Sequence, residues 1–289
     1  MSSRYLLHVG FPKTASTWLQ HYLQDSQRIN YIGKHAGGKR WRSEQIKSVR
    51  TSLQGLQTPY TFSEVQKIIA ETIVVNPELP FVLSDEVLAK PWKDKPNWPN
   101  EYAQLLSTYF PEGQILLTVR KQSDIACSLY RKHVEEFGLA SMSMREWFDS
   151  GAGSQDVDFW RRWDLLEYYQ GLHQFFGDRI LIVPYEMMKT APAEYCSIIT
   201  DFFEINDIEL KIEKPVNQVS FRSDYKQLFK MLIQPKYWSQ LKQAIKIKPR
   251  YDEALIQSID EYFANKNREF SRLSSVDLEK YDYYKLSEY

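Results

Sequence analysis

The sequence predicts an α/β fold, a parallel sheet flanked by helices with a mainly helical C-terminal part. Four short apolar runs have the length and composition of buried strands: Tyr5–Val9, Phe81–Leu83, Ile115–Val119 and Ile180–Val183. Segments with helical spacing separate the runs, and this alternation favours a parallel sheet covered on both faces. Ligands bind beyond the carboxyl ends of the strands in such folds, so the segments after the four runs should meet in one crevice.

The C-terminal third is predicted to be mostly helical. Leu255, Ile259, Tyr262 and Phe263 follow the spacing i, i+4, i+7, i+8, which indicates a helix with one apolar stripe. No repeat, low-complexity tract or linker divides the sequence. We therefore expect residues 1–289 to form one domain, which is long enough to bury a sizeable core.

Composition excludes some classes of partner. Basic and acidic residues both number 37, so the net charge is zero and an anion site must be a local cluster. Cys127 and Cys196 form neither a metal-binding pattern nor a disulfide framework, which favours a reduced intracellular protein. No apolar stretch approaches the ~20 residues of a spanning helix, and the N-terminal run is too short for a signal peptide. We expect a cytoplasmic protein without nucleic-acid partners or stable membrane insertion, and its oligomeric state is unknown.

The segment HVGFPKTASTWLQHYL, residues 8–23, has the character of a P-loop-like phosphate site. A strand that stops at Gly10, followed by a helix from Thr14 or Ser16, leaves main-chain N–H groups that attract an anion with the helix dipole. Lys13 adds a full positive charge, and Ser16 and Thr17 add hydroxyl donors. The alternative is an ordinary strand–turn–helix junction with Ser and Thr as caps.

This loop differs from the ATP-binding loop G-x-x-x-x-G-K-[ST]. Its lysine comes three residues after Gly10, and the second glycine is absent. The run FVLSDE nevertheless ends in Asp85–Glu86, like a magnesium-binding strand of a nucleotide hydrolase. A P-loop kinase or ATPase is therefore the second interpretation.

Two further strand ends carry polar residues. ILLTVRKQSDIACSLYRK, residues 115–132, is predicted to be a strand and a helix that Ser123 or Asp124 can cap. Arg120 at the strand end and Ser128 in the helix can meet on one phosphate. Tyr185 follows the last predicted strand, where it is either a ligand contact or a buried aromatic residue.

These segments resemble motifs of the sulfotransferases that use 3′-phosphoadenosine 5′-phosphosulfate (PAPS). The family pattern P-K-[ST]-G-[ST]-T-x-L is matched by Pro12, Lys13, Thr14, Ser16, Thr17 and Leu19, with Ala15 in place of the usual glycine. The 3′-phosphate motif R-x-x-x-D-x-x-x-S is matched by Arg120, Asp124 and Ser128. The motif Y-E-[DN]-L is matched by Tyr185 and Glu186, with Met187 in its third position.

The resemblance implies a binding site for PAPS and for its product, adenosine 3′,5′-bisphosphate (PAP). The phosphosulfate would lie on the loop residues Lys13, Thr14, Ala15, Ser16 and Thr17. Arg120 and Ser128 would bind the 3′-phosphate, Asp124 would act as a cap, and Tyr185 would lie near the adenine. PVNQVSFRSD, residues 215–224, resembles a loop that closes over the nucleotide and adds Asn217, Ser220 and Arg222.

The implied reaction is sulfuryl transfer to a hydroxyl acceptor, with Lys13 stabilising the leaving phosphate and no metal required. Glu86 is the predicted general base, because it follows the second predicted strand and should reach the same crevice, and Asp85 and His133 are its reserves. FVLSDEVL also resembles a stretch of the sugar-acting and bacterial branch, in which a glutamate often has this role. A carbohydrate or glycan-like small molecule is the expected acceptor. Ala15 and Met187 leave a third interpretation open, an inactive PAP-binding module. Ala15 is harmless if its φ is negative and strained if φ is positive.

Overall fold

The computed structural model describes residues 5–33, 44–54, 60–72, 78–85, 98–138, 141–151, 159–205 and 248–284. The strands of the described part are β1 (Tyr5–Gly10), β2 (Asn30–Tyr31), β3 (Phe81–Ser84), β4 (Gln114–Val119) and β5 (Ile180–Pro184). The α-helices of the described part are α1 (Ser16–Asp25), α2 (Glu44–Gln54), α3 (Phe62–Thr72), α4 (Trp98–Tyr109), α5 (Gln122–Phe137), α6 (Met144–Asp149), α7 (Phe159–Arg162), α8 (Leu165–Phe176), α9 (Tyr185–Thr190), α10 (Pro192–Phe203) and α11 (Glu253–Ser274). A short 3-10 helix spans Glu279–Tyr281.

The strands form one parallel sheet in the order β2-β3-β1-β4-β5. Leu7 on the central strand pairs in register with Leu83 on one side and with Ile115 on the other. The predicted fold class and all four predicted strands are confirmed. The two-residue strand β2 was not predicted, because so short a run carries no detectable periodicity.

Alternate residues of β1 supply two separate hydrophobic cores, one on each face of the sheet. Leu6 packs with residues of α1, α9 and α10, such as Trp18 and Tyr195. Leu7 and Val9 belong to a larger core with residues of α4, α5, α8 and α11. Burial of both faces explains why the strands read as continuous apolar runs in the sequence.

The C-terminal helix α11 is longer than the sequence pattern indicated, and it packs on α5 and α8. Leu255, Ile259 and Phe263 are buried as predicted. Tyr262 was predicted to share that stripe, but its side chain is 45% exposed and packs against Trp160 with a centroid distance of 4.4 Å. The position i+7 falls at the border of the stripe, where an aromatic ring can cover its edge.

A buried amide pair fixes α11 against the first turn of α5. Gln122 Nε2 donates to Asn267 Oδ1 at 2.9 Å, and Asn267 Nδ2 donates back to Gln122 Oε1 at 3.0 Å. Asn267 also donates to the main-chain oxygen of Tyr283 at 3.0 Å. The C-terminal segment therefore supports the start of α5, which follows the carboxyl end of β4. None of the helices in the described ranges is long and apolar enough to cross a membrane.

Candidate active site

The loop between β1 and α1 has the backbone of an anion-binding turn. The Phe11 N–H donates to the Thr118 oxygen at 3.0 Å, so the loop starts from a fixed point beside β4. Lys13 and Ala15 then adopt left-handed conformations, with φ of 71° and 59°. Helix α1 starts at Ser16 without a side-chain cap. Turns with left-handed residues before a helix are typical of the nests that bind phosphate and sulfate groups.

Ala15, which stands in place of the usual glycine of the family pattern, has a positive φ. A left-handed conformation costs a residue with a β-carbon about 1–2 kcal/mol relative to its preferred region. The chain keeps the backbone shape that glycine would adopt freely and carries this strain in the loop. The departure from the family pattern is therefore not harmless for stability, although the turn is retained.

A buried chain of hydrogen bonds connects the β1–α1 loop to strands β1, β3 and β4. The Thr14 hydroxyl donates to the Phe11 oxygen at 2.6 Å and lies 2.9 Å from Thr118 Oγ1. His8 Nε2 lies 3.2 Å from Thr118 Oγ1, and His8 Nδ1 lies 2.7 Å from Ser84 Oγ. The side chain of Thr14 thus points into the protein, and only its main chain is available to a ligand. The sequence did not single out His8, although a histidine inside an apolar strand is a detectable signal.

The hydroxyls in this chain fix the protonation of His8. The Thr14 hydroxyl donates to the Phe11 carbonyl, so the Thr118 hydroxyl must donate to Thr14 Oγ1. The His8 Nε2–H then donates to Thr118 Oγ1. The Ser84 hydroxyl is left to donate to Nδ1 of a neutral ring. Burial lowers the pKa of His8 from 6.5 to about 3, which agrees with the neutral form.

Gly10 allows the close approach of this network to the loop. A β-carbon at Gly10 would lie 2.2 Å from Thr118 Oγ1 and 3.1 Å from His8 Nε2. Neither neighbour can withdraw without breaking the buried hydrogen bonds. The glycine at the end of β1 is therefore required by packing, since its φ is not in the left-handed region.

Arg120 joins the motifs that the sequence places far apart. Its Nη1 donates to the main-chain oxygen of Lys13 at 2.9 Å, and its Nη2 lies 3.3 Å from Asp124 Oδ2. Its guanidinium lies over the ring of Tyr185, 4.6 Å from the centroid. The predicted phosphosulfate loop, 3′-phosphate arginine and adenine-side tyrosine consequently form one cluster at the carboxyl edge of the sheet. The N-cap of α5 is Lys121 without a side-chain cap, so the predicted capping role of Ser123 or Asp124 is wrong.

Ser128 lies on the second turn of α5 and is buried. Its hydroxyl accepts a hydrogen bond from Arg131 Nη2 at 3.4 Å. Arg131 was not predicted as a site residue. Its spacing of i+3 from Ser128 is the signal that could have found it, because residues so spaced share a helix face.

Glu186 ties the edge of the site to the C-terminal segment. Its Oε1 accepts from the Lys121 N–H at 3.3 Å, and its Oε2 accepts from the Tyr283 hydroxyl at 2.7 Å. Burial raises the pKa of this carboxyl, and the two hydrogen bonds oppose that shift. Met187, which replaces an Asp or Asn of the family motif, is buried in the core beside α10.

Several predicted residues lie outside the described ranges: Glu86, Asn217, Ser220 and Arg222. Of the two reserve bases, Asp85 is buried at the end of β3, and His133 packs against Phe137 with a centroid distance of 4.7 Å. Burial lowers the pKa of His133. Within the ranges that the structure describes, no group of three His, Cys, Asp or Glu side chains is placed to hold a metal ion.

Comparisons with known proteins agree with this fold. The sulfotransferase from Alicyclobacillus acidocaldarius superposes with a TM-score of 0.59 at 14% identity, over 97% of this chain and 99% of that one. The mouse sulfotransferase SULT7A1, solved with PAP, gives 0.50 at 15% identity, over 97% and 90% of the two chains. No curated protein matches the sequence significantly. The sequence profile of the sulfotransferase family matches residues 6–209, which is most of the chain. The chain therefore belongs to the sulfotransferase family, and the prediction of a sulfotransferase is confirmed.

Proposed function

We propose that this protein transfers the sulfuryl group of PAPS to a hydroxyl of a carbohydrate or glycan-like acceptor and releases PAP. The observation that carries the proposal is the hydrogen bond from Arg120 to the Lys13 carbonyl. This bond joins Arg120, which the sequence motif assigns to the 3′-phosphate, to the loop that the motif assigns to the phosphosulfate, and so supports the proposal. The presence of PAP in the mouse sulfotransferase structure supports the same nucleotide here.

The side chains of the cluster suit the nucleotide. In this proposal the main chain of residues 14–17 binds the phosphosulfate, and Ser16 and Thr17 add hydroxyl donors. Arg120 and Ser128 bind the 3′-phosphate, while Tyr185 packs beside the adenine. Asn217, Ser220 and Arg222 close over the nucleotide, an assignment that rests on the sequence motif.

The chemistry is an in-line displacement at sulfur. An acceptor oxygen forms the new O–S bond, the S–O bond to the 5′-phosphate breaks, and its electron pair stays on the phosphate oxygen. The ammonium of Lys13 and the loop N–H groups stabilise the charge that grows on this oxygen. Glu86 takes the acceptor proton, an assignment that rests on its position after β3 in the sequence.

The orientation of Thr14 weighs against a kinase or ATPase. In nucleotide hydrolases of the P-loop class, the Ser or Thr after the loop lysine binds Mg²⁺ through its hydroxyl. Here the hydroxyl that follows Lys13 is buried and donates to the Phe11 oxygen. A metal at the loop would have to break that bond and the contact with Thr118.

The proposal is tested by incubating the protein with isotope-labelled PAPS and a panel of sugars and glycosides. We expect transfer by the wild type, a loss of about 100-fold or more in kcat for Lys13→Met, and a comparable loss for Glu86→Gln. Lys67→Met on the exposed face of α3 is the matched control. PAP binding without transfer to any acceptor would instead support the inactive module, and normal turnover by Glu86→Gln would remove the base assignment.

A further inference from the structure

Helix α5 presents a row of polar side chains that starts at the predicted 3′-phosphate site. Asp124, Ser128, Arg131 and Glu135 follow the spacing i, i+4, i+7, i+11 and share one face. The first is paired with Arg120, and the second accepts from Arg131. The row therefore leads along the helix from the nucleotide residues to Glu135.

Glu135 ends this row with an unused hydrogen-bonding atom. Its Oε1 is buried and has no hydrogen-bond partner among the residues that the structure describes. Buried carboxylate oxygens are almost always paired, because an unpaired one loses its hydration without compensation. A bound molecule with a hydrogen-bond donor would supply the missing partner.

Glu135 lies within the electrostatic reach of Lys13, the lysine of the β1–α1 loop. Burial raises the pKa of its carboxyl, whereas the positive charges of Arg131, Lys13 and Lys132 lower it. Lys13 belongs to the β1–α1 loop, so the positive charge of that loop acts on Glu135 in the fourth turn of α5. The nucleotide residues Arg120 and Tyr185 lie at the other end of the helix, which leaves the Glu135 end for the acceptor.

An aromatic ring accompanies Glu135. Tyr251 is 39% exposed, and its ring meets that of Tyr130 edge-on at 6.3 Å. The charges of Arg131 and Glu135 both act on the Tyr251 hydroxyl, so the ring lies near the polar row. Tyr251 thus offers an accessible aromatic ring within the electrostatic reach of the unpaired Glu135 carboxylate.

The residue after Tyr251 holds this ring in place. Asp252 accepts from Arg145 Nε at 2.8 Å and from Arg145 Nη2 at 3.0 Å. It also caps α11, accepting from the Leu255 N–H at 2.8 Å. Both oxygens of one carboxylate are thereby fixed, and the backbone that carries Tyr251 is tied to α6 and to α11.

We propose that Glu135 and Tyr251 form the acceptor subsite and that this subsite takes a pyranose ring. Glu135 Oε1 accepts a hydrogen bond from the hydroxyl next to the one that is sulfated, and the Tyr251 ring packs against the C–H face of the sugar. The proposal rests on the sulfuryl transfer proposed above and deepens it. A neutral polyol fits better than an amine, because the three positive charges of Arg131, Lys13 and Lys132 outweigh the one negative charge of Glu135.

The test compares four acceptors with PAPS as donor: methyl β-galactopyranoside, trans-1,2-cyclohexanediol, cyclohexanol and 2-aminocyclohexanol. We expect the pyranoside and the diol to have a kcat/KM about tenfold or more above that of cyclohexanol. Glu135→Gln should raise KM for the diol about 10- to 100-fold and remove most of its advantage over cyclohexanol. Tyr251→Ala should raise KM for the pyranoside about tenfold, and Tyr251→Phe should retain it.

Glu136→Gln is the matched control, since Glu136 is exposed and adjacent in sequence. The Kd for PAP, measured by calorimetry, should stay unchanged in every variant. If the wild type fails to bind PAP, the proposed sulfuryl transfer fails with it. If the wild type binds PAP, the subsite alone is contradicted by any of three results: equal KM values for Glu135→Gln and Glu136→Gln, a preference for the amino alcohol, or no transfer to the pyranoside and the diol.

Discussion

The guanidinium of Arg120 donates through Nη1 to the main-chain oxygen of Lys13, 2.9 Å away. The two residues are 107 positions apart in the chain, and the bond joins the end of β4 to the loop after β1. Arg120 also lies over Tyr185 at the end of β5. One side chain thus sets the relative position of three strand ends that the sequence motifs assign to one nucleotide.

Replacement of Arg120 should therefore weaken nucleotide binding even when the positive charge is kept. Arg120→Lys keeps the charge but loses the planar fork, and we expect a Kd for PAP about 10- to 100-fold higher, by calorimetry. Arg161→Lys is the matched control, because Arg161 pairs with Glu167 on the surface. Equal PAP affinity of the two variants would show that Arg120 does not contact the nucleotide.

Ala15→Gly should stabilise the protein. The left-handed φ of 59° is strained for alanine and free for glycine, while glycine gains entropy in the unfolded chain. We expect a net gain of about 0.5–1 kcal/mol in the free energy of unfolding, measured with urea. Ala264→Gly in the interior of α11 should change stability in the opposite direction by about 1 kcal/mol. A loss of stability in Ala15→Gly would contradict the assigned backbone.

His8 should make stability depend on pH on the acid side. Its pKa is about 3 in the folded protein against 6.5 in the unfolded chain, so the unfolded chain binds the extra proton. The contribution is fully present above pH 6.5 and is lost as pH falls from there toward 3. The slope is about 1.4 kcal/mol per pH unit within that window.

Urea unfolding at a series of pH values measures this dependence. His8→Gln keeps an amide donor and acceptor but cannot take up a proton, so the variant should lose that part of the slope. His21→Gln on the surface side of α1 is the control and should keep the slope of the wild type. An unchanged slope in His8→Gln would contradict the assignment of a buried neutral ring.

Asn267→Leu should destabilise the protein by about 2–4 kcal/mol, because it leaves Gln122 Oε1 and the Tyr283 oxygen without their donor, while Gln122 Nε2 keeps its bond to the Trp163 oxygen. Asn265→Leu, two residues away on the exposed face of α11, should cost less than about 0.5 kcal/mol. Urea denaturation measures both. Since Gln122 begins α5, the first variant should also weaken PAP binding, and equal stability of the two variants would contradict the role of the amide pair.

The sequence was sufficient for the four longer strands and for the cluster of Lys13, Arg120 and Tyr185. Short apolar runs define buried parallel strands, and strand ends converge by the geometry of the fold. The cap of α5 was mispredicted, because the Asp124 carboxylate pairs with Arg120. The direction of the Arg120 side chain cannot be predicted from the sequence. His8 and Glu135 were not predicted as important residues, for a related reason. Their significance depends on hydroxyls and charges brought close only by long-range packing.

The most direct measurement of the central claim is calorimetry of the wild-type protein with PAP and, separately, with ATP and Mg²⁺. The account predicts binding of PAP without Mg²⁺, with a Kd lower than that for ATP–Mg²⁺ by about tenfold or more, and loss of PAP binding in Arg120→Ala. Absence of PAP binding, or tighter binding of ATP–Mg²⁺, would contradict it.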